Sequence, residues 1–105
     1  MLSEQEFRLK ADRALEHLQR SLMPLADAEG FEVELQNGVA QIVFEDLAPA
    51  KFVVSPNAPV RQIWVSAMSR SYKLGWDGTD FALNGEPLDA LVQRLVRLQL
   101  STTGT

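Results

Sequence analysis

Six carboxylates fall in close pairs early in the chain: Asp12 and Glu16, Asp27 and Glu29, and Glu32 and Glu34. Oxygen ligands of this kind suit hard or borderline cations, held loosely while water completes the coordination shell. The same six also read as a solvated negative flank, which keeps a strand from pairing with other chains. The residue pattern leaves both readings open. His17 is the only histidine and the chain has no cysteine. Beside Glu16 and outside the apolar stripe of its segment, His17 reads as a surface imidazole, with metal ligation as the alternative. The absence of cysteine removes disulfides, thiolate metal sites and cysteine nucleophiles together. No P-loop, GxGxxG or GxSxG motif is present, so enzymatic activity is not expected.

A different kind of chemistry is written in Arg61-Gln62-Ile63-Trp64-Val65-Ser66-Ala67. In a strand, side chains alternate between faces, so Ile63, Val65 and Ala67 share the core face. Trp64 then lies with Gln62 and Ser66 on the polar face, where it is expected to be largely exposed. A large aromatic ring there marks a contact surface or a ring covered by a loop that folds back over it. Asn57, Gln62, Trp64 and Lys73 form the candidate partner-binding patch.

These side chains need a scaffold, and periodicity supplies one. Ser3-Glu4-Gln5-Glu6 is a capping box. Phe7, Ala11, Ala14, Leu15, Leu18, Leu22 and Leu25 then follow at steps of three and four, one stripe of a long amphipathic helix. Pro24 is expected to end or distort that helix. From Glu29 the period drops to two, with Phe31, Val33 and Leu35 alternating with acids and Gln36. Asn37-Gly38 is a strong hairpin signal, because both residues tolerate positive φ. The return strand runs from Val39 to Phe44. Further strands are expected at Lys51–Val54, Arg61–Ala67, Tyr72–Trp76 and Asp80–Leu83. Pro87 suits the first turn of a final helix that sends Leu88, Leu91, Val92, Leu95 and Leu98 toward the core.

Helix, antiparallel strands and helix, each with one apolar face, bury those faces together in one arrangement. It is an α+β two-layer sandwich with both helices on the same face of the sheet. Residues 1–100 are expected to form a single domain, and Ser101 to Thr105 a disordered tail.

The charge balance narrows the partners. With Asp+Glu 14 against Lys+Arg 10, the chain does not provide the basic face that nucleic-acid binding requires. A mildly acidic protein is matched to cations or to a basic protein surface. No apolar run approaches a membrane-spanning length, and MLSEQEF has no export-signal character. A cytoplasmic location is the simplest reading.

The order of these features resembles the frataxin family, and more closely its bacterial members. The resemblance is carried by Glu6-Phe7, Ala11-Asp12, Asn37-Gly38-Val39, Ile42-Val43-Phe44-Glu45, Gln62-Ile63-Trp64, Tyr72, Gly78 and Leu88-Asp89-Ala90-Leu91. It spans nearly the whole chain and implies the same α+β sandwich. It also implies that the tryptophan contacts the iron–sulfur cluster assembly machinery, a cysteine desulfurase and its scaffold protein. The acids of the first helix and first strand would bind iron, Fe2+ or Fe3+, and face a basic partner. Frataxins usually carry more carboxylates where this chain has Arg20, Met23, Pro24 and Ala26, so the resemblance implies weak, transient iron binding. The implied role is iron donor or desulfurase regulator, with a metal-independent interaction module of the same machinery as the alternative. The implied state is a monomer, with iron-dependent oligomerisation a further expectation.

Overall fold

The computed structural model describes residues 2–45 and 50–103. Helix α1 spans Glu4–Glu29 and helix α2 spans Leu88–Thr103. Between them lie β1 (Glu32–Gln36), β2 (Val39–Phe44), β3 (Ala50–Asn57), β4 (Gln62–Ala67), β5 (Arg70–Trp76), β6 (Phe81–Leu83) and β7 (Glu86–Pro87). The strands form one antiparallel sheet in chain order, β1 to β7. A 3-10 turn, Ala58–Val60, links β3 to β4.

Local chemistry explains the ends of α1. The Glu6 amide donates to Ser3 Oγ at 3.1 Å, while the Ser3 amide donates to Glu6 Oε1 at 3.0 Å. These bonds satisfy two amides that a helix start otherwise leaves open. At the other end Gly30 turns left-handed, with φ 82°, and its amide donates to the Ala26 carbonyl at 2.8 Å. Only a residue free of a Cβ adopts that backbone at no steric cost.

Phe7, Ala11, Leu15, Leu18, Leu22 and Ala26 meet Ile42, Phe52, Val54, Ile63, Val65 and Leu74 in one apolar core. Leu88, Leu91, Val92, Leu95 and Val96 close the same core from α2. Both helices therefore cover one face of the sheet, the α+β sandwich expected from the pattern. Aromatic contacts knit its ends, among them Phe7 edge-on to Phe81 at 5.6 Å and Phe44 to Phe52 at 5.1 Å.

Four local expectations are corrected. Helix α1 runs through Pro24. The carbonyl that loses its bond belongs to Arg20, which is exposed like Pro24, so water can satisfy it. Leu22 and Ala26 on either side remain buried and hold the helix on the sheet. Pro87 lies in β7, opposite Ala82, and α2 begins only at Leu88. A proline is tolerated there because β7 is an edge strand. Leu98 is 47% exposed, and Val96 and Gln99 take the inner positions. Helical spacing continues from Val92 through Val96 to Gln99 rather than through Leu98. Ser101 to Thr103 continue α2 instead of forming a disordered tail, since backbone bonding in a helix carries past its last core contact. Gly104 and Thr105 lie outside the described residues.

Candidate functional site

The register of three strands assembles the sheet-face patch. Asn57 pairs with Gln62, Ser55 with Trp64, and Trp64 with Lys73. Directly opposed residues in an antiparallel pair project from the same face. Asn57, Gln62, Trp64 and Lys73, expected from sequence to act together, thus share the outer face of β3, β4 and β5. Beneath them Ile63, Val65 and Leu74 point into the core.

Trp64 is half-buried, not largely exposed as its polar neighbours suggested. Gln62 Oε1 accepts from Trp64 Nε1 at 2.9 Å. Lys73 Nζ sits 4.8 Å from the centroid of the indole ring, a cation–π contact worth about 0.5–1 kcal/mol at an exposed site. Both contacts come from side chains flanking the ring within the sheet. Alternation reported the face correctly but carried no information on how cross-strand neighbours would lean over the ring. Ser55, directly opposite Trp64, belongs to the patch and was missed, because only strand register reveals it.

The acidic residues are arranged differently. Glu32 and Glu34 are exposed on the outer face of β1, an edge strand, opposite Val43 and Gln41. Asp27 and Glu29 are exposed on the last turn of α1. Asp12 reaches the β1–β2 turn, its Oδ1 lying 4.0 Å from where a Cβ on Gly38 would stand. Glu16, four residues on, shares that flank of the helix. The six acids therefore lie at three places: the α1 flank beside the β1–β2 turn, the end of α1 and the outer face of β1. Among the described residues, no three carboxylates or imidazoles gather closely enough to hold one ion between them. A cation there would meet one or two carboxylates and otherwise water, the donor set of a loose, outer-sphere site.

The opposite flank of α1 is basic. Lys10 Nζ lies 4.9 Å from the Trp76 ring centroid, and His17 Nδ1 bonds to Asp89 Oδ2 at the start of α2. With Arg13 and Asp80 these residues border a groove of about 450 Å³. His17 thus fastens the two helices to each other at the surface, a role its sequence position did not indicate.

Three carboxylates outside the six have clear electrostatic settings. The Ser3 bonds hold Glu6 below its ordinary value, and the amides of Asp80 and Thr79 do the same for Asp77. Arg94 donates from Nε and Nη2 to the two oxygens of Glu86 at 3.0 and 2.9 Å, lowering the Glu86 pKa and raising its own. Glu6 serves the α1 cap, Asp77 a turn and Glu86 the β7–α2 junction, and none belongs to the patch.

Among the described residues, no helix is long and apolar enough to cross a membrane. The frataxin-like domain family matches residues 1–102. The iron–sulfur cluster assembly protein CyaY of Cupriavidus metallidurans is 34% identical over 80 residues, covering 74% of this chain and 70% of that protein. The protein of the same name from Janthinobacterium sp. is 30% identical over 102 residues, 93% of this chain and 90% of its relative. A sandwich of this order, a half-buried tryptophan on its open face and a match along nearly the full sequence agree: the chain belongs to the frataxin family, with the bacterial CyaY-type proteins.

Proposed function

We propose that this protein acts in iron–sulfur cluster assembly by protein contact, docking its open sheet face on a cysteine desulfurase and its scaffold protein. The observation that carries the reading is the Trp64 patch, where Gln62 and Lys73 hold an aromatic ring ready on a rigid sheet. A preoriented aromatic anchor loses little side-chain freedom on binding, which is how a small patch dominates an interface. The names of the CyaY relatives support the same cellular task for this chain. The protein works in the cytoplasm as a monomer and catalyses no reaction itself.

Iron enters as cargo. Asp12, Glu16, Asp27, Glu29, Glu32 and Glu34 bring it close as a diffuse negative field, and the ion keeps most of its water. Iron donation and regulation of the desulfurase both fit this arrangement. The dispersion of the acids favours a second reading, in which contact alone is the function and iron is incidental.

Two measurements test the proposal. Co-purification from the native cell should recover a desulfurase–scaffold complex, and its absence from the bound proteins would overturn the reading. Anaerobic calorimetry with ferrous iron should find no saturable site tighter than about 10⁻⁵ M, as expected for sparse oxygen ligands. A tighter site that survives neutralising Asp27, Glu29, Glu32 and Glu34 would place iron elsewhere on the molecule.

A further inference from the structure

The loop that delivers β4 to the patch contains an unusual residue. Arg61 has φ 54° and ψ 44°, the left-handed region. Side-chain-bearing residues seldom adopt it, and glycine or asparagine is the common choice. The loop is four residues long, Ala58-Pro59-Val60 in a 3-10 turn and then Arg61. It must reverse the chain so that Asn57 faces Gln62 across the last rung of the ladder.

Arg61 closes that turn by three bonds. Its amide donates to the Ala58 carbonyl at 3.1 Å, and Nη1 of its side chain donates to the same oxygen. Its Nε donates to the Leu2 carbonyl at 3.2 Å, a contact across 59 residues of sequence. Leu2 in turn packs against the apolar core. A residue in a strained backbone state persists only where its surroundings over-determine it, and such residues gather at functional sites. Here the surroundings are known, and the next residue is Gln62, whose amide oxygen holds the Trp64 indole.

We propose that Arg61 is a positioning residue for the sheet-face contact: it clasps the β3–β4 turn to the N-terminal segment and so fixes Gln62 and, through it, the Trp64 ring. The contact itself rests on the function proposed above. The positioning does not, because it exists in the free protein. A planar guanidinium can reach two carbonyls in different directions at once, whereas a lysine ammonium is a single point donor on a flexible stem. Arginine is therefore specified here by geometry and not by charge.

Arg61→Gly and Arg61→Lys separate the alternatives. Glycine accepts the left-handed backbone and removes the clasp, so the fold is retained. Lysine keeps the charge and loses the double bond to carbonyls. In the free protein, ¹⁵N NMR should show the Trp64 indole N–H, assigned by its loss in Trp64→Phe, shifted and exchanging faster with solvent in both variants. Binding to the desulfurase–scaffold complex should then dissociate about fivefold faster in both, with an unchanged association rate. An unshifted, equally protected indole N–H in Arg61→Gly would overturn the proposal. So would full recovery of the dissociation rate by lysine, which would make Arg61 a charge contact with the partner. If the wild-type protein does not bind the complex, the contact reading fails alone, and the indole signal still decides whether Arg61 positions the ring.

Discussion

The two candidate regions of this protein differ in how their side chains are held. On the open sheet face, Trp64 is bonded by Gln62, capped by Lys73 and supported by buried Ile63 and Val65. Along the β1 edge, Glu32 and Glu34 stand exposed among residues that do not gather around one ion. The patch can impose a register on a partner. The edge, among the described residues, presents dispersed charge. Glu34 follows Gln41, Val53 and Ser66 across the sheet, three strand spacings or about 14 Å. Exposed charges are screened over about 8 Å at physiological salt. The edge therefore does not tune the tryptophan, and the two regions should fail separately when mutated.

The largest effect is expected at Trp64. Replacement by alanine should weaken binding to a desulfurase–scaffold complex by about 2 kcal/mol or more, the loss expected of a central aromatic anchor. Because the ring is half-buried and carries a cation–π contact, folding should also lose about 1–2 kcal/mol. Surface plasmon resonance and urea titration read the two effects. A folding loss well beyond that range with unchanged binding would make Trp64 a structural residue and remove the patch from the comparison.

Pro24 probes the edge by stiffening its support. It sits inside α1, one turn before Asp27. Pro24→Ala restores a helical hydrogen bond and should stabilise the protein by about 1–2 kcal/mol, part of the roughly 3 kcal/mol by which alanine exceeds proline in a helix interior. If the edge acts only through its field, the association rate with the partner stays the same. A changed rate would mean that the exact placement of Asp27 and Glu29 matters.

These outcomes bear on what the sequence made legible. The buried stripe of α1 from Phe7 to Leu22 and the turn at Asn37-Gly38, with φ of 54° and 75°, could be read from spacing and residue type because both are local properties. Asn84-Gly85 makes another turn at positive φ. The strand before it is expected at Asp80–Leu83, but the one after it has only two residues, too few for alternation to register. Met68 and Ser69 also turn at positive φ with no glycine, so strand pairing rather than residue preference selects that turn. In the patch, alternation placed Trp64 on the open face, but its burial, its opposition to Ser55 and the clasp of Arg61 on Leu2 depend on contacts between distant segments. The continuation of α1 past Pro24 was likewise decided by packing of Leu22 and Ala26, which outweighs the local cost.

The field of the edge is expected to act on rates. If the edge steers a basic partner through solvent, as proposed, association should slow as salt rises. Neutralising Glu32 and Glu34 to glutamine should lower the association rate about two- to fivefold at low salt and flatten its salt dependence, with little change in dissociation. An association rate that is flat with salt in the unmodified protein would reduce the edge to a solvated surface.

The smallest effect lies outside both regions and serves as their control. Glu86 joins β7 to α2 through its paired bonds with Arg94, and those bonds lower its pKa from the ordinary 4.5. A group whose pKa falls on folding contributes stability above its unfolded value and loses it as pH drops through the folded one. Glu86→Gln should therefore be slightly less stable than the unmodified protein near neutrality. The difference should shrink below pH 4.5, as the native carboxylate takes up its proton. Arg94 is exposed and Glu86 half-buried, so salt should diminish the difference in part. Urea midpoints measured across pH would show this convergence, and partner association should be identical in the two proteins at neutral pH. A partner effect from Glu86→Gln would extend the contact surface beyond β3, β4 and β5 to the β7–α2 junction, and the separation between patch and edge would have to be redrawn to include it.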